Sequence, residues 1–154
     1  MRSGSGEEAS AQSASLEAAR RKLGGRAVDS CRALGSLVHG TLRDGACRTG
    51  VLLWASPTHS DVWFDDGIAR RVRSSVVTAF AGPLPACLSV IVAEVRIFAS
   101  LAEGDRVRWD RSGEVVAGCI VEKCRYGAIV LTGDGRLVAV GFRRLWPAEV
   151  RARA

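Results

Sequence analysis

Apolar residues in this chain come in short runs broken by glycines and Asp-Gly pairs, and one such arrangement occurs twice. Gly118 to Gly135 reads GCIVEKCRYGAIVLTGDG, and Gly50 to Gly67 reads GVLLWASPTHSDVWFDDG. Each begins with glycine, continues through three apolar residues, a polar or aromatic crossing and a second apolar run, and ends in Asp-Gly. Those are the signals of two strands with a short connection between them and a tight turn after them. In Asp61-Val62-Trp63-Phe64-Asp65, strict alternation sets Val62 and Phe64 on one face and Trp63 on the other with the two aspartates.

Residues 1–14 are small and polar, and a disordered arm is expected there. Ser15 to Leu23 offers a serine cap, an acidic first turn, a basic end at Arg20-Arg21-Lys22 and a stop at Gly24-Gly25, which predicts a short helix with Leu16, Ala19 and Leu23 inward. That helix and a first β domain make up residues 15–80, with the domain core at 35–80. Ile68 to Arg73 is its return strand, and Ser74 to Val77 a helical turn or last strand. Residues 81–103 open on Gly82-Pro83-Leu84-Pro85, after which Leu84, Leu88, Ile91, Val95 and Phe98 step by four, three, four and three residues. An amphipathic helix, packed between two β domains, follows from that spacing. The second domain spans 104–147 and a basic tail 148–154. At a constant offset of 68, Arg43 meets Arg111, Gly45 meets Gly113, Gly50 meets Gly118, Val62 meets Val130, Asp66-Gly67 meets Asp134-Gly135 and Val72 meets Val140. An internal duplication is the expected origin.

Composition narrows the class. Hydrophobic residues make up 47% and charged residues 25% of 154, which is globular. No apolar run approaches the ~20 residues of a membrane helix. Glu7, Glu8 and Glu17 also interrupt anything resembling a signal peptide, so a soluble, cytoplasmic protein without membrane contact is expected. A net charge of +6 permits a polyanionic partner. No dense basic block exists, so such a surface must be gathered by folding.

The five cysteines are Cys31, Cys47, Cys87, Cys119 and Cys124. They contain no C-x-x-C pair and are joined by only two histidines, so buried or inert thiols are expected and no metal site or cofactor. Cys119 aligns with Val51 as an apolar strand position. Cys124 is read as a half-exposed structural thiol; the alternative is a reactive thiolate, which Lys123 and Arg125 on either side would favour.

Five short strands in each copy, entered by Gly104-Asp105-Arg106-Val107 and closed by Asp-Gly hairpins, resemble the small SH3-like barrels of the Tudor, KOW and chromo-barrel kind. The resemblance covers residues 35–80 and 104–147. It implies a mainly β protein with short helices: two tandem SH3-like barrels joined by the amphipathic helix. It also implies a binding module, whose ligand the fold does not choose. A KOW-like reading binds RNA or DNA through Arg70, Arg71, Arg73, Arg125, Arg136, Arg143 and Arg144, since guanidinium forks suit phosphate, with Tyr126, Phe142 or Trp146 stacking on bases. A Tudor-like reading instead binds a peptide or another subunit through Trp54, His59, Trp63, Asp61 and Asp65, a ring-and-carboxylate set suited to a cation. Exposed strand edges make homo-oligomers a third class. His59-Ser60-Asp61 contains hydrolytic residue types, but sequence neighbours on one strand cannot converge on one reaction centre, so no catalytic residues are assigned and no enzyme is expected.

Overall fold

The computed structural model describes residues 5–27 and 32–148, with side chains from residue 12 onward. It is mainly β, with ten strands and two α-helices among the described residues. Two compact units form. One holds residues 32–100, and the other joins residues 5–27 to 101–148.

The first unit contains β1 (Leu37–Thr41), β2 (Cys47–Ala55), β3 (His59–Phe64), β4 (Ala69–Arg73), a 3-10 turn at Ser74–Val76 and β5 (Val77–Ala79), then helix α2 (Ser89–Ser100). Its strands form one antiparallel sheet in the order β4, β3, β2, β1, β5. The inner face buries Val38, Leu52, Ala55, Val62, Phe64 and Val77. Phe64 is fully buried, and its ring lies where a side chain on Gly40 would stand, about 3.0 Å from the Cβ position. α2 contacts β2 and buries Ile91, Val92, Val95 and Phe98. Ile91, Val95 and Phe98 are positions its spacing predicted, and Leu88 is buried in the 3-10 turn Ala86–Leu88 just before the helix, whereas Leu84, the first of the expected stripe, lies outside the helix at 48% exposure.

The second unit contains β6 (Arg106–Arg111), β7 (Glu114–Cys124), β8 (Gly127–Thr132), β9 (Leu137–Gly141), a 3-10 turn at Phe142–Arg144 and β10 (Trp146–Pro147). The order β10, β6, β7, β8, β9 matches the first sheet strand for strand. Both sheets are open in their hydrogen-bonded order. Pairing agrees in detail. Gly50 faces Phe64 and Gly118 faces Thr132, and the register shifts between Leu52 and Trp54 in one sheet and between Ile120 and Glu122 in the other. The offset of 68 therefore holds from β2 onward. In the first strand it is 69, because Val38 pairs with Gly50 and Ala79 while Val107 pairs with Gly118 and Pro147. The longer β1–β2 loop absorbs the difference. Two side chains trade volume at corresponding places: Gly40 and Phe64 in one sheet, Trp109 and Thr132 in the other.

The repeated glycines have a steric cause. A Cβ on Gly50 would stand 2.7 Å from the Trp63 carbonyl oxygen, and one on Gly118 2.6 Å from that of Leu131. Gly67 and Gly135 take φ of 79° and 83° in the Asp-Gly turns, the left-handed region that glycine enters without strain.

Three expectations are revised. Helix α1 runs Ser5–Lys22, starting ten residues before the expected cap at Ser15 and taking in most of the supposed arm. Alanines and glutamates with high helix propensity extend a helix cheaply once one turn of it is docked. Residues 1–4 of that arm, Cys31, and 149–154 of the basic tail lie outside the described residues. α1 also packs on the second sheet, not the first: Leu16, Ala19 and Leu23 cover Cys124, Ile129 and Ala139. The chain after it runs along the end of β7, where Ala27 N–H donates to Lys123 O (3.2 Å) and Arg125 N–H to Gly25 O (3.0 Å). Finally, Cys119 is exposed rather than buried, because on β7 it alternates with the inward Ile120. Among the described residues no helix is long and apolar enough to cross a membrane.

Candidate nucleic-acid interface

Three adjacent strands of the first sheet bring Trp54, Asp61 and Arg71 into register. Arg71 donates from Nε to Asp61 Oδ1 (2.8 Å) and from Nη2 to Oδ2 (3.1 Å), and its guanidinium lies 5.9 Å from the Trp54 ring centroid. Asp61 is only 4% exposed, so its charge is balanced by a partner from the same sheet. The Asp61 carboxylate holds the Arg71 guanidinium above its ordinary pKa. The cation over Trp54 is thus the chain's own. Asp65 accepts from Arg48 at 3.0 Å, and Asp66 from Arg70 at 2.7 and 3.1 Å. The Arg70 hydrogen bonds are the main cause holding Asp66 below the usual carboxylate range. Trp63 is half-buried beside this set, and exposed His59 places Nδ1 3.1 Å from Thr58 Oγ1.

A groove of about 960 Å³ in the same unit is lined by Arg43, Arg70, Arg71, Arg73, His59 and Asp44 together with Leu42, Val72 and Val76. Arg70 and Arg71 are committed to Asp66 and Asp61. Arg43 and Arg73 form no ion pair among the described residues.

The second unit has a groove of about 550 Å³ between Arg108, Trp109, Asp110, Val115, Arg143, Arg144 and Trp146. Residues far apart in sequence meet here because β10 pairs with β6, setting Trp146 directly across from Arg108. The 3-10 turn before β10 delivers Arg143 and Arg144, and Arg144 donates from Nη2 to the Asp110 carbonyl oxygen. The Asp110 carboxylate caps its own hairpin, accepting from Gly113 N–H at 2.9 Å. Trp146 is 42% exposed and Val115 68%. Guanidinium groups beside an accessible indole can hold phosphate and stack on a planar base together.

The arginines named from sequence therefore divide. Arg70, Arg71 and Arg73 share one groove, and Arg143 and Arg144 line the other. Arg136 pairs with Asp134 (3.3 Å) at the β8–β9 turn, outside both. Arg125 and Tyr126 are half-buried at the end of α1, where the Tyr126 ring lies against Gly24. Arg43 and Arg108 were missed. Arg108 had a signal, since alternation in Arg106-Val107-Arg108-Trp109 turns it outward. Among the described residues no three His, Cys, Asp or Glu side chains come together as a metal site would require. No known protein family matches this chain, and no curated protein resembles it in sequence.

Proposed function

We propose that this protein binds nucleic acid through arginines on two SH3-like barrels derived from one duplicated domain. The shared strand order, the paired register shifts and the repeated glycines support the duplication. The observation that carries the binding reading is the second unit's groove, where Arg108, Arg143 and Arg144, from segments more than thirty residues apart, surround an accessible tryptophan. Phosphate recognition needs that gathering, because a net charge of +6 spread evenly gives only weak attraction. The peptide-binding alternative has less support, since Asp61, Asp65 and Asp66 already hold arginines of their own sheet.

Fluorescence anisotropy with labelled mixed-sequence RNA and DNA across a salt series tests the reading. Binding is expected to weaken linearly on log–log axes. Arg108→Ala and Arg143→Ala should each flatten the slope by about 0.7 to 0.9. No binding even at low salt would overturn it.

A further inference from the structure

The two sheets match strand for strand but differ on their outer faces. In the first, Val51 on β2 is fully buried although it alternates away from the inner-core residue Leu52. Its counterpart Cys119 is exposed, and so are the residues in register with it: Leu131 on β8 at 42% and Leu137 on β9 at 39%. The described side chains of α1 pack at the Ile129 end of this second outer face.

The open part is not merely apolar. Arg106 pairs with Cys119 and Arg108 with both Ala117 and Trp146, and direct cross-strand partners share a face. One row thus runs Arg106, Cys119, Leu131, Leu137, and the next Trp146, Arg108, Ala117. Neither Arg106 nor Arg108 forms an ion pair among the described residues, so with Asp110 as the carboxylate on the same side of β6 this face sets two guanidinium groups beside apolar side chains.

We infer that the open outer face of the second sheet is a platform for single-stranded nucleic acid, with an unpaired base stacked on Trp146 and the adjoining phosphates on Arg106 and Arg108. The inference rests on the nucleic-acid reading above and narrows it. A duplex keeps its bases stacked inward and offers this face only phosphates, for which exposed Trp146, Leu131 and Leu137 have no use. A single strand offers base faces as well, and every base has one.

Anisotropy with the full chain and three labelled probes tests this: a thymidine 20-mer, the same strand annealed to its complement, and a 20-mer of abasic residues with the same phosphates. The single strand should bind about ten-fold or more tighter than either of the others. Trp146→Ala should lose about ten-fold on the single strand alone without changing its salt slope, and Trp146→Phe should keep most of the affinity. Trp146 lies on a two-residue edge strand and is well exposed, and circular dichroism of each variant confirms that the sheets persist. Equal affinity for all three probes, with Trp146→Ala harmless, overturns the single-strand inference while leaving nucleic-acid binding intact. Failure to bind any probe at low salt overturns both.

Discussion

Cys124 shows how far a side chain's surroundings can outweigh its sequence neighbours. Lys123 and Arg125 flank it and would favour a thiolate, yet the Lys123 ammonium is turned to the Leu101 carbonyl oxygen, to which it donates at 2.8 Å, and burial holds its pKa down. The Cys124 thiol is fully buried beneath α1, and desolvation pushes its pKa from 9.0 up to about 11. It is inert at neutral pH. In the native protein, thiol reagents followed by peptide mapping should modify exposed Cys47, Cys87 and Cys119 quickly and spare Cys124 until the protein unfolds. The same shift makes a stability statement. The folded thiol keeps its proton to higher pH than the unfolded one, so its contribution is complete below pH 9.0 and is lost as pH rises through about 11. Urea midpoints followed from pH 8 to 10.5 should fall more steeply for the parent than for Cys124→Ala. Equal slopes would show that the thiol is not protected.

At the scale of elements, α1 illustrates what a local reading misses. Its inner residues Leu16, Ala19 and Leu23 and its stop at Gly24-Gly25 follow from spacing and cap chemistry, but its partner lies about a hundred residues along the chain. The basic end needs more than the helix dipole to explain it. Arg20 Nε donates to both Glu122 oxygens, at 3.0 and 2.8 Å, and Arg26 Nε approaches Oε1 at 2.8 Å. Glu122 is the counterpart of Trp54, and no property of either residue announces that one would clasp a helix while the other lies under an arginine. The strands, their Asp-Gly turns and the face of α2 were legible because each is encoded within a few residues. The grooves were only partly so, because β10 must pair with β6 before Trp146 meets Arg108. Removing Glu122 breaks its pairs with both Arg20 and Arg26 at once, whereas removing Arg20 leaves Glu122 still bound to Arg26. Glu122→Ala should therefore cost about 1–3 kcal/mol in urea unfolding and Arg20→Ala less than that. Hydrogen exchange in residues 15–23 should rise in step with each loss.

At the scale of the whole molecule, the units do not follow chain order, because the N-terminal helix is built into the second one. That arrangement makes the two sheets unequally dependent on the chain's beginning. Leu23, only 5% exposed against Cys124 and Ile129, contributes about 1.5–3 kcal/mol by burial, and the Glu122 clasp adds to it. The first sheet has its own cover in α2 and its own core around Phe64, and none of the described side chains of α1 belongs to that core. Deleting residues 1–27 should accordingly leave the first sheet intact and strip the second of its cover. Cys124 reports the difference, since it lies under the deleted helix. In the truncated protein under native conditions it should become reactive, while amides of residues 37–79 keep their protection from hydrogen exchange. Loss of protection in 37–79 with Cys124 still shielded would mean that the helix supports the first sheet instead. An unstable first sheet together with a reactive Cys124 would mean that the two units fold only as one.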